Sequence, residues 1–301
     1  MIPAIKIAAA PCSWGVLEFD LEGKNPPYAQ VLDEMSEAGY AGTELGDWGF
    51  LPTDPAKLSR ELNARNLEIM AAFVPVAFAE PGAHEAGLTN ALKTARLLSA
   101  ANASSVIVLA DDNGKNPTRT TMAGRIAPEQ GLNKKQWEIF AAGVEKTARA
   151  VLKETGLKTV FHHHCGGFVE TPAETQMLLD STDPGLVGLC LDTGHWTYGG
   201  GDPSAALKKY GQRIRHVHFK DCDPKVAEQA RAGHWDYFQT IKNGLFCELG
   251  QGTVPFREII QGLQHLSYPG WIVVEQDVFP GLGNPGESAS RNRAYLHKIG
   301  I

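Results

Sequence analysis

One run organises this sequence: Leu186-Val187-Gly188-Leu189-Cys190-Leu191-Asp192-Thr193-Gly194-His195. Its apolar part is typical of a parallel strand that is buried on both faces. A carboxylate at the end of such a strand is costly unless another group pairs with it. Three further runs, residues 159–164, 215–220 and 271–275, end in the polar side chains His164, Lys220 and Glu275. We therefore expect four strand ends to share one site.

Strand patterns alternate with helical patterns along the whole 301-residue chain. The predicted strands are residues 5–10, 42–45, 67–73, 105–110, 157–164, 187–191, 214–219 and 271–275. The predicted helices are residues 28–38, 55–65, 88–101, 134–155, 172–179, 203–210, 254–265 and 288–298. This alternation predicts an α/β protein that forms one (β/α)8 TIM barrel over residues 1–301. An open doubly wound sheet is the alternative, but no glycine-rich phosphate turn follows the first strand.

Composition and charge narrow the class of protein. The net charge is -6 with histidine neutral, which disfavours a nucleic-acid partner because phosphate binding needs a basic face. No apolar run approaches the ~18 residues of a membrane span, and the N-terminus lacks the pattern of a signal peptide. The five cysteines are odd in number and have no C-x-x-C spacing. We therefore expect reduced thiols and a cytoplasmic location.

Polar residues at the predicted strand ends form one constellation, because the active site of a TIM barrel lies at the C-terminal ends of its strands. They are Glu44, Asp111, His164, Asp192, His195, His218, Lys220 and Glu275. Two imidazoles with two carboxylates suit Mn²⁺, Fe²⁺, Co²⁺ or Zn²⁺. Singly, Asp192 fits a helix cap and Glu275 fits an ion pair with Arg291 or Lys298. Their joint occurrence on four strand ends favours a shared divalent metal site.

Two features leave details open. Strand alternation places His216, His218 and Lys220 on one face, and His162 shares a face with His164. Either His162 or His164 therefore fits as the ligand from the fifth strand. Residues 221–253 are rich in polar and aromatic side chains, and a loop of this length is usually functional or disordered. We expect this segment to cover the active site through His234, Trp235 and Lys242.

Several motifs resemble a known family. The matching stretches are Leu191-Asp192-Thr193-Gly194-His195, His216-Val217-His218-Phe219-Lys220-Asp221 and Val273-Val274-Glu275-Gln276-Asp277. They resemble the xylose-isomerase-like TIM-barrel superfamily of sugar isomerases and epimerases, and the resemblance covers nearly the whole chain. Further stretches resemble the inosose dehydratases of that superfamily: residues 10–15, 42–46 and 244–252, and His162-His163-His164 with Glu170.

The resemblance implies a ligand set. Epimerases of the superfamily use Glu, Asp, His and Glu as metal ligands, and Asp192, His218 and Glu275 match the last three. The first position is predicted to be His164, because its spacing to Glu170 equals that between the fifth-strand ligand and a substrate-binding Glu in those epimerases. Epimerases use two ligating Glu residues on opposite faces of the sugar. A histidine in one of these positions favours removal of one proton followed by loss of water.

The activity that the resemblance implies is dehydration of 2-keto-myo-inositol (scyllo-inosose) to a trihydroxycyclohexane-1,2-dione. Glu275 is the candidate base, and His195 and Lys220 are candidates for the acid or oxyanion role, with the pKa of Lys220 lowered by burial beside a cation. The expected substrate-binding residues are Glu44, Asp111, Glu170, Trp14 and Trp196.

Other functions fit parts of the same pattern. A ketose 3-epimerase or sugar isomerase would share the barrel and the metal. An abasic-site endonuclease would need more metal ligands and a basic groove, and a non-catalytic sugar-binding barrel would need no metal. For the dehydratase, epimerase and isomerase alternatives, the expected partner is a small polyol or keto-sugar. The resemblance to the superfamily also allows a homo-oligomer.

Overall fold

Eight parallel strands close into one barrel in the computed structural model, which describes residues 5–16, 25–277 and 283–301. The barrel strands are β1 (Lys6–Ala9), β2 (Gly42–Glu44), β3 (Glu68–Pro75), β4 (Val106–Ala110), β5 (Lys158–His162), β6 (Val187–Asp192), β7 (Ile214–Phe219) and β10 (Trp271–Val274). Ala9 pairs with Val274 on one side and with Thr43 on the other, which closes the ring. The predicted single (β/α)8 barrel is confirmed. Residues 1–4, from which we expect no signal peptide, lie outside the described part of the chain.

Helices cover the outside of the barrel and its C-terminal face. They are α1 (Tyr28–Glu37), α2 (Pro55–Asn63), α3 (His84–Ala101), α4 (Pro117–Thr121), α5 (Lys134–Thr155), α6 (Pro172–Asp180), α7 (Thr193–Tyr198), α8 (Pro203–Tyr210), α9 (Pro224–Ala232), α10 (Tyr237–Lys242), α11 (Phe256–His265) and α12 (Pro285–Ile299). The eight predicted helices are all present: α5 and α8 have the predicted ends, and the other six differ at one or both ends. The sequence reading missed α4, α7, α9 and α10, because each is short and lies within a segment that reads as a loop.

Short polar side chains fix where several helices begin. Asp54 accepts a hydrogen bond from the backbone N–H of Lys57 and caps α2. Thr171 and Glu174 form a capping box at the start of α6. Asp192 caps α7, because its Oδ1 accepts from the backbone N–H of His195 at 2.8 Å. This cap uses only one oxygen of Asp192, so the other remains available to the barrel interior.

The barrel interior changes from apolar to polar along its axis. Small and branched side chains fill its lower part: Ala8, Ala10, Met70, Ala71, Val108, Val160, Cys190 and Val273. Val217 and Phe219 of β7 instead pack in the outer layer between the sheet and the helices. His216 and His218 alternate with them and point inward, as strand geometry requires. The polar ends of the strands therefore meet above an apolar floor.

The segment from Asp221 to Thr253 is largely structured, in contrast to the long loop expected. It contains α9, α10 and a two-stranded antiparallel hairpin of β8 (Asp221–Cys222) and β9 (Phe246–Cys247). Tyr237 and Phe246 anchor a small apolar cluster with Cys165 and Tyr198. This cluster holds the segment against the C-terminal ends of β5 and β6.

In the part of the chain that the structure describes, none of the helices has both the length and the apolar character needed to cross a membrane.

Candidate metal and active site

Four buried side chains from four strand ends meet inside the barrel. His162, Asp192, His218 and Glu275 each offer one ligand atom, and these atoms lie within 4.8 Å of one another. His218 Nδ1 lies 3.2 Å from Glu275 Oε2 and 3.7 Å from Asp192 Oδ2. His162 Nε2 lies 3.6 Å from the same Asp192 oxygen. The four strand ends therefore converge in the structure, as the sequence predicted.

His162 Nδ1 is buried without a hydrogen-bond partner, and so are two atoms that face each other, Asp192 Oδ2 and His218 Nδ1. Leaving a buried polar atom unsatisfied costs roughly 1–3 kcal/mol, and more for a charged one. Both atoms point toward the other members of the group, and two imidazoles with two carboxylates are a donor set that a divalent transition ion accepts. The four residues therefore fit a divalent cation.

Glu44 fixes the orientation of His218. Its Oε1 accepts from Nε2 of His218 at 2.9 Å and from Nε2 of His216 at 2.7 Å. With the Nε2 proton of His218 donated to Glu44, Nδ1 is the nitrogen that faces Asp192 and Glu275, and a cation bound there would take the place of its proton. Burial raises the pKa of Glu44, but His218 and His216 outweigh burial and hold that pKa well below its ordinary value. Glu44 is thus an ionised partner behind the group as well as part of the cavity wall.

Lys220 lies among carboxylates rather than in an apolar pocket. Its Nζ is 3.0 Å from Asp277 Oδ1, 3.3 Å from Glu275 Oε2 and 3.7 Å from Asp192 Oδ2. Burial lowers the pKa of Lys220, but these three carboxylates raise it well above its ordinary value. The sequence analysis predicted a lowered pKa for Lys220; among the groups that the protein itself supplies, the pKa is raised instead. Lys220 is held as an ammonium ion with fixed hydrogen-bond partners.

A cavity that is partly open to solvent lies at this end of the barrel. Its polar lining comprises Glu44, Asp47, His162, His164, His218, Lys220, Glu275 and Asp277. Cys12, Val16 and Phe73 contribute to the remaining wall. The cavity thus presents several polar groups on one side and a small apolar surface on the other, an arrangement suited to a small polar ligand.

The structure brings His162, and not His164, into the four-residue group. β5 ends at His162, and the chain then turns, with the backbone N–H of His164 donating to the carbonyl of Val169. Nδ1 of His164 lies 2.7 Å from the carbonyl oxygen of Cys165, and its Nε2 lies 3.4 Å from the hydroxyl of Tyr237. His164 therefore lines the cavity beside the group, because the turn displaces it from the strand register.

His195 lies next to this second histidine. Its ring centroid is 3.8 Å from that of His164, and its Nε2 is 3.2 Å from Nζ of Lys220. The backbone N–H of Cys165 donates to its Nδ1 at 3.2 Å. Burial lowers the pKa of His195, and His164 and Lys220 lower it further. His195 thus lies neutral beside Lys220 and is absent from the cavity lining.

Two expected substrate-binding carboxylates instead hold loops together. Glu170 accepts hydrogen bonds from the backbone N–H groups of Gly124 and Gly166, at 2.7 and 2.8 Å. Asp111 accepts from the backbone N–H of Phe168 at 2.9 Å. Burial raises the pKa of Glu170 to about 7 and that of Asp111 to about 6. Both carboxylates accept hydrogen bonds from backbone N–H groups, and neither lines the cavity.

The structure likewise keeps Trp14 and Trp196 away from the cavity. Trp14 packs in the outer core and donates from Nε1 to Glu34 at 2.6 Å. Trp196 packs edge-on against His163 and Tyr210. Both rings fill the layer between the sheet and the helices, so they do not form the apolar wall that we expected.

Two contacts were missed by the sequence reading. Asp277 contacts Lys220 and lines the cavity. It lies two residues after Glu275, so strand alternation could have predicted that both side chains face the same side. Phe246 lies with its ring 4.7 Å from Nζ of Lys220 and packs against His195. His234 and Lys242 are exposed, so Phe246 and Tyr237 make the segment's contacts with the site.

Comparison with known proteins identifies the class to which this barrel and its four-residue group belong. A family model described as "Xylose isomerase-like TIM barrel" matches residues 32–299. The chain belongs to the xylose isomerase-like TIM barrel family. The resemblance read from its motifs is thereby confirmed.

Its sequence relatives are more particular. An inosose dehydratase of Lacticaseibacillus casei is 33% identical over 292 residues, which cover 97% of this chain and 96% of the relative. An inosose dehydratase of Geobacillus kaustophilus is 34% identical over 306 residues, with 98% and 94% coverage. The prediction of an enzyme that resembles these dehydratases is confirmed.

Solved structures with the same fold have several activities. The probable 3-DHS dehydratase of Bacillus anthracis superimposes with a TM-score of 0.72 at 15% identity and covers 97% of this chain and 99% of its own. The 3-keto-D-glucoside 4-epimerase of E. coli gives a TM-score of 0.69 at 15% identity, with 98% and 100% coverage. At this identity the likeness shows the fold alone.

Proposed function

We propose that the chain is a hydro-lyase that removes water from 2-keto-myo-inositol (scyllo-inosose) and forms a trihydroxycyclohexane-1,2-dione. Curated relatives named inosose dehydratase, 33% and 34% identical over nearly the full chain, support the reaction. The cavity supports the substrate class, because its many polar side chains match a ring that carries hydroxyls and a ketone. The expected partner is therefore a small polyol or keto-sugar.

The metal site of the proposal consists of His162, Asp192, His218 and Glu275. The expected His164 is replaced by His162 in this set, because only His162 has a ligand atom within the group. A divalent ion such as Mn²⁺, Co²⁺, Fe²⁺ or Zn²⁺ would supply Lewis-acid polarisation of the ketone and a template for the adjacent hydroxyl. Glu44 would support this set by keeping the lone pair of His218 on Nδ1.

Glu275 is the base of the proposal. It lines the cavity, and its Oε2 lies 3.3 Å from Nζ of Lys220. Burial raises its pKa, but His218 and Lys220 outweigh burial and lower it, so the carboxylate is ionised and ready to accept a proton. It would take the proton from the carbon next to the ketone, and the C–H electron pair would form the new double bond.

Lys220 is the acid of the proposal. As that double bond forms, the neighbouring C–O bond breaks, and the departing hydroxyl takes a proton from Nζ and leaves as water. The resulting enol then rearranges to the dione. Asp277 and His195 position the ammonium group, since they contact Nζ at 3.0 and 3.2 Å. The segment 221–253 would exclude bulk water through Tyr237 and Phe246.

The residue that β5 contributes to the four-residue group is the observation that favours dehydration over epimerisation. The resemblance implies that ketose 3-epimerases pair two ligating glutamates on opposite faces of the sugar. In this chain the β5 position of the group holds His162, which leaves Glu275 as the glutamate of the set. One base that removes a proton and a separate acid that expels water suit an elimination better than a symmetric return of the proton.

The test is turnover of scyllo-inosose. The purified protein, loaded with Mn²⁺ or Co²⁺, is incubated with scyllo-inosose while the ultraviolet absorbance of the dione is followed. The expected result is an absorbance increase that a chelator abolishes and added metal restores. Parallel incubations with ketohexoses, resolved by chromatography, should show no epimer. Epimer formation without dione would overturn the dehydratase assignment, as would no turnover of inosose with any divalent ion.

A further inference from the structure

A buried thiol lies one layer below the proposed metal site. Cys190 is two residues before Asp192 on β6, so both side chains point into the barrel. Cys190 pairs in register with His162 of β5. Its side chain packs in the apolar floor with Val160 and Val273. The thiol therefore faces the underside of the histidines that belong to the four-residue group.

The distances define a second set of ligand atoms. One atom each of His162, Cys190 and His218 lies within 4.8 Å of the others, and all three residues are buried. Nδ1 of His162 is buried without a hydrogen-bond partner among the described residues, so this imidazole has a nitrogen that no protein group occupies. Two imidazoles and a sulfur atom suit soft or borderline ions such as Cd²⁺ and Zn²⁺, whereas Mn²⁺ and Mg²⁺ prefer oxygen.

We propose that His162, Cys190 and His218 form a second coordination site for a thiophilic cation, which competes with the cation of the catalytic set. The two sites share both imidazoles, so they hold one ion at a time. Coordination replaces the proton of the Cys190 thiol, which is released to solvent as the metal–sulfur bond forms. Cys190 is absent from the cavity lining, whereas Glu275 is part of it. An ion drawn to the thiol is thus withdrawn from the substrate side.

The consequence is a rule for metal choice. A hard ion gains little from sulfur and takes the oxygens of Asp192 and Glu275. A soft ion gains from the thiolate and binds lower in the barrel. This inference rests on the proposed metal site for its competition with Mn²⁺, but the thiol–metal bond itself can be tested separately.

The experiment is a Cd²⁺ titration of the full chain, followed by the ultraviolet charge-transfer absorbance of cadmium thiolates. The wild type should develop this band at one Cd²⁺ per chain, and Cys190→Ala should lose it with a drop in Cd²⁺ affinity of roughly tenfold or more. Cys190→Val, which refills the volume, should behave in the same way. Cys12→Ala removes the thiol that lines the cavity and should retain the band, as should Cys222→Ala. A band that persists in both Cys190 variants, or one that disappears with Cys12, would overturn the proposal.

Competition with Mn²⁺ separates the two sites. Electron paramagnetic resonance measures free Mn²⁺ while Cd²⁺ is added to the wild type and to Asp192→Asn. Cd²⁺ should release bound Mn²⁺ from the wild type, and Asp192→Asn should lose Mn²⁺ affinity yet keep the cadmium–thiolate band. Unchanged Mn²⁺ affinity in Asp192→Asn would refute the catalytic metal set and leave the thiol site standing. Simultaneous binding of Mn²⁺ and Cd²⁺ to the wild type would refute the shared-histidine proposal.

Discussion

Nε2 of His218 lies 2.9 Å from Oε1 of Glu44 inside the barrel. The proton on Nε2 is used in this contact, so Nδ1, which lies 3.2 Å from Oε2 of Glu275, is the nitrogen that a cation can take. Glu44 comes from β2 and His218 from β7, so the contact spans the barrel interior. Glu44, which we expected to bind substrate hydroxyls, thus also determines which nitrogen of His218 is available to a metal ion.

Removal of Glu44 should weaken metal binding without removing a ligand. We expect Glu44→Ala to lower Mn²⁺ affinity roughly 10–100-fold, the usual effect of losing a partner behind a ligand. Glu44→Gln retains an oxygen that accepts from both histidines, so its loss should be smaller. Isothermal titration calorimetry measures both, with Glu34→Gln as the control because that carboxylate pairs with Trp14 in the outer core. Equal affinity of Glu44→Ala and wild type would show that Glu44 does not orient His218.

Glu275 and Lys220 should fail at different steps. Glu275→Gln keeps the shape of the side chain but removes the base, and we expect kcat to fall roughly 10²–10⁴-fold. Lys220→Met removes the acid and should lower kcat over the same range. Lys208→Met, at an exposed lysine, is the control and should retain activity.

Proton exchange distinguishes the two roles. In deuterated water, Lys220→Met should still exchange the proton next to the ketone of scyllo-inosose, as seen by nuclear magnetic resonance, because Glu275 remains. Glu275→Gln should neither exchange the proton nor form the dione. Exchange in Glu275→Gln at the wild-type rate would assign the base to another residue.

Glu170 should make stability depend on pH. Burial raises its pKa from 4.5 to about 7 in the folded chain, so the folded state keeps a proton that the unfolded state has released. This contribution is fully present below about pH 4.5 and is lost as the pH rises through 7. Relative to Glu170→Gln, the wild type should lose roughly 2–3 kcal/mol of unfolding free energy between pH 5 and pH 8.

Urea unfolding at the two pH values tests this expectation. Glu129→Gln, at an exposed glutamate of the neighbouring segment, is the matched control and should differ from wild type by the same amount at both. A wild type that gains unfolding free energy relative to Glu170→Gln between pH 5 and pH 8 would reverse the predicted sign.

The segment 221–253 should tighten when the cavity is filled. Tyr237 and Phe246 link it to His164, His195 and Lys220, so a bound ring should reduce its local opening. Hydrogen exchange with Mn²⁺ and the dione product should show added protection in α9 and α10, whereas α5 should show none. Unchanged exchange in α9 and α10 at saturating product would argue against a cover.

The sequence predicts the barrel well because the hydrophobic patterns of its strands and of its helices are both strong. Strand β6 is an apolar run that ends at Asp192, and β7 alternates its side chains and carries His218 one residue before its end. Inward orientation of His216 and His218 follows from strand alternation alone. Convergence of Asp192, His218 and Glu275 follows from the rule that strand ends share one face of a barrel.

The remaining details depend on contacts that no local pattern encodes. His162 and His164 have the same parity, so the choice between them depends on the residue at which β5 ends. Glu170 reads as a free carboxylate until the fold brings the N–H groups of Gly124 and Gly166 to it. Short helices such as α10 form within the cover because Tyr237 is anchored by tertiary packing, which outweighs a weak local signal.

Anomalous diffraction from Mn²⁺-loaded crystals, recorded at the manganese absorption edge, tests the central claim most directly. The account predicts one peak at bonding distance from His162, Asp192, His218 and Glu275, with His164 and Cys190 outside the coordination shell. A peak bound to His164 in place of His162, or no peak within this group, would contradict the account.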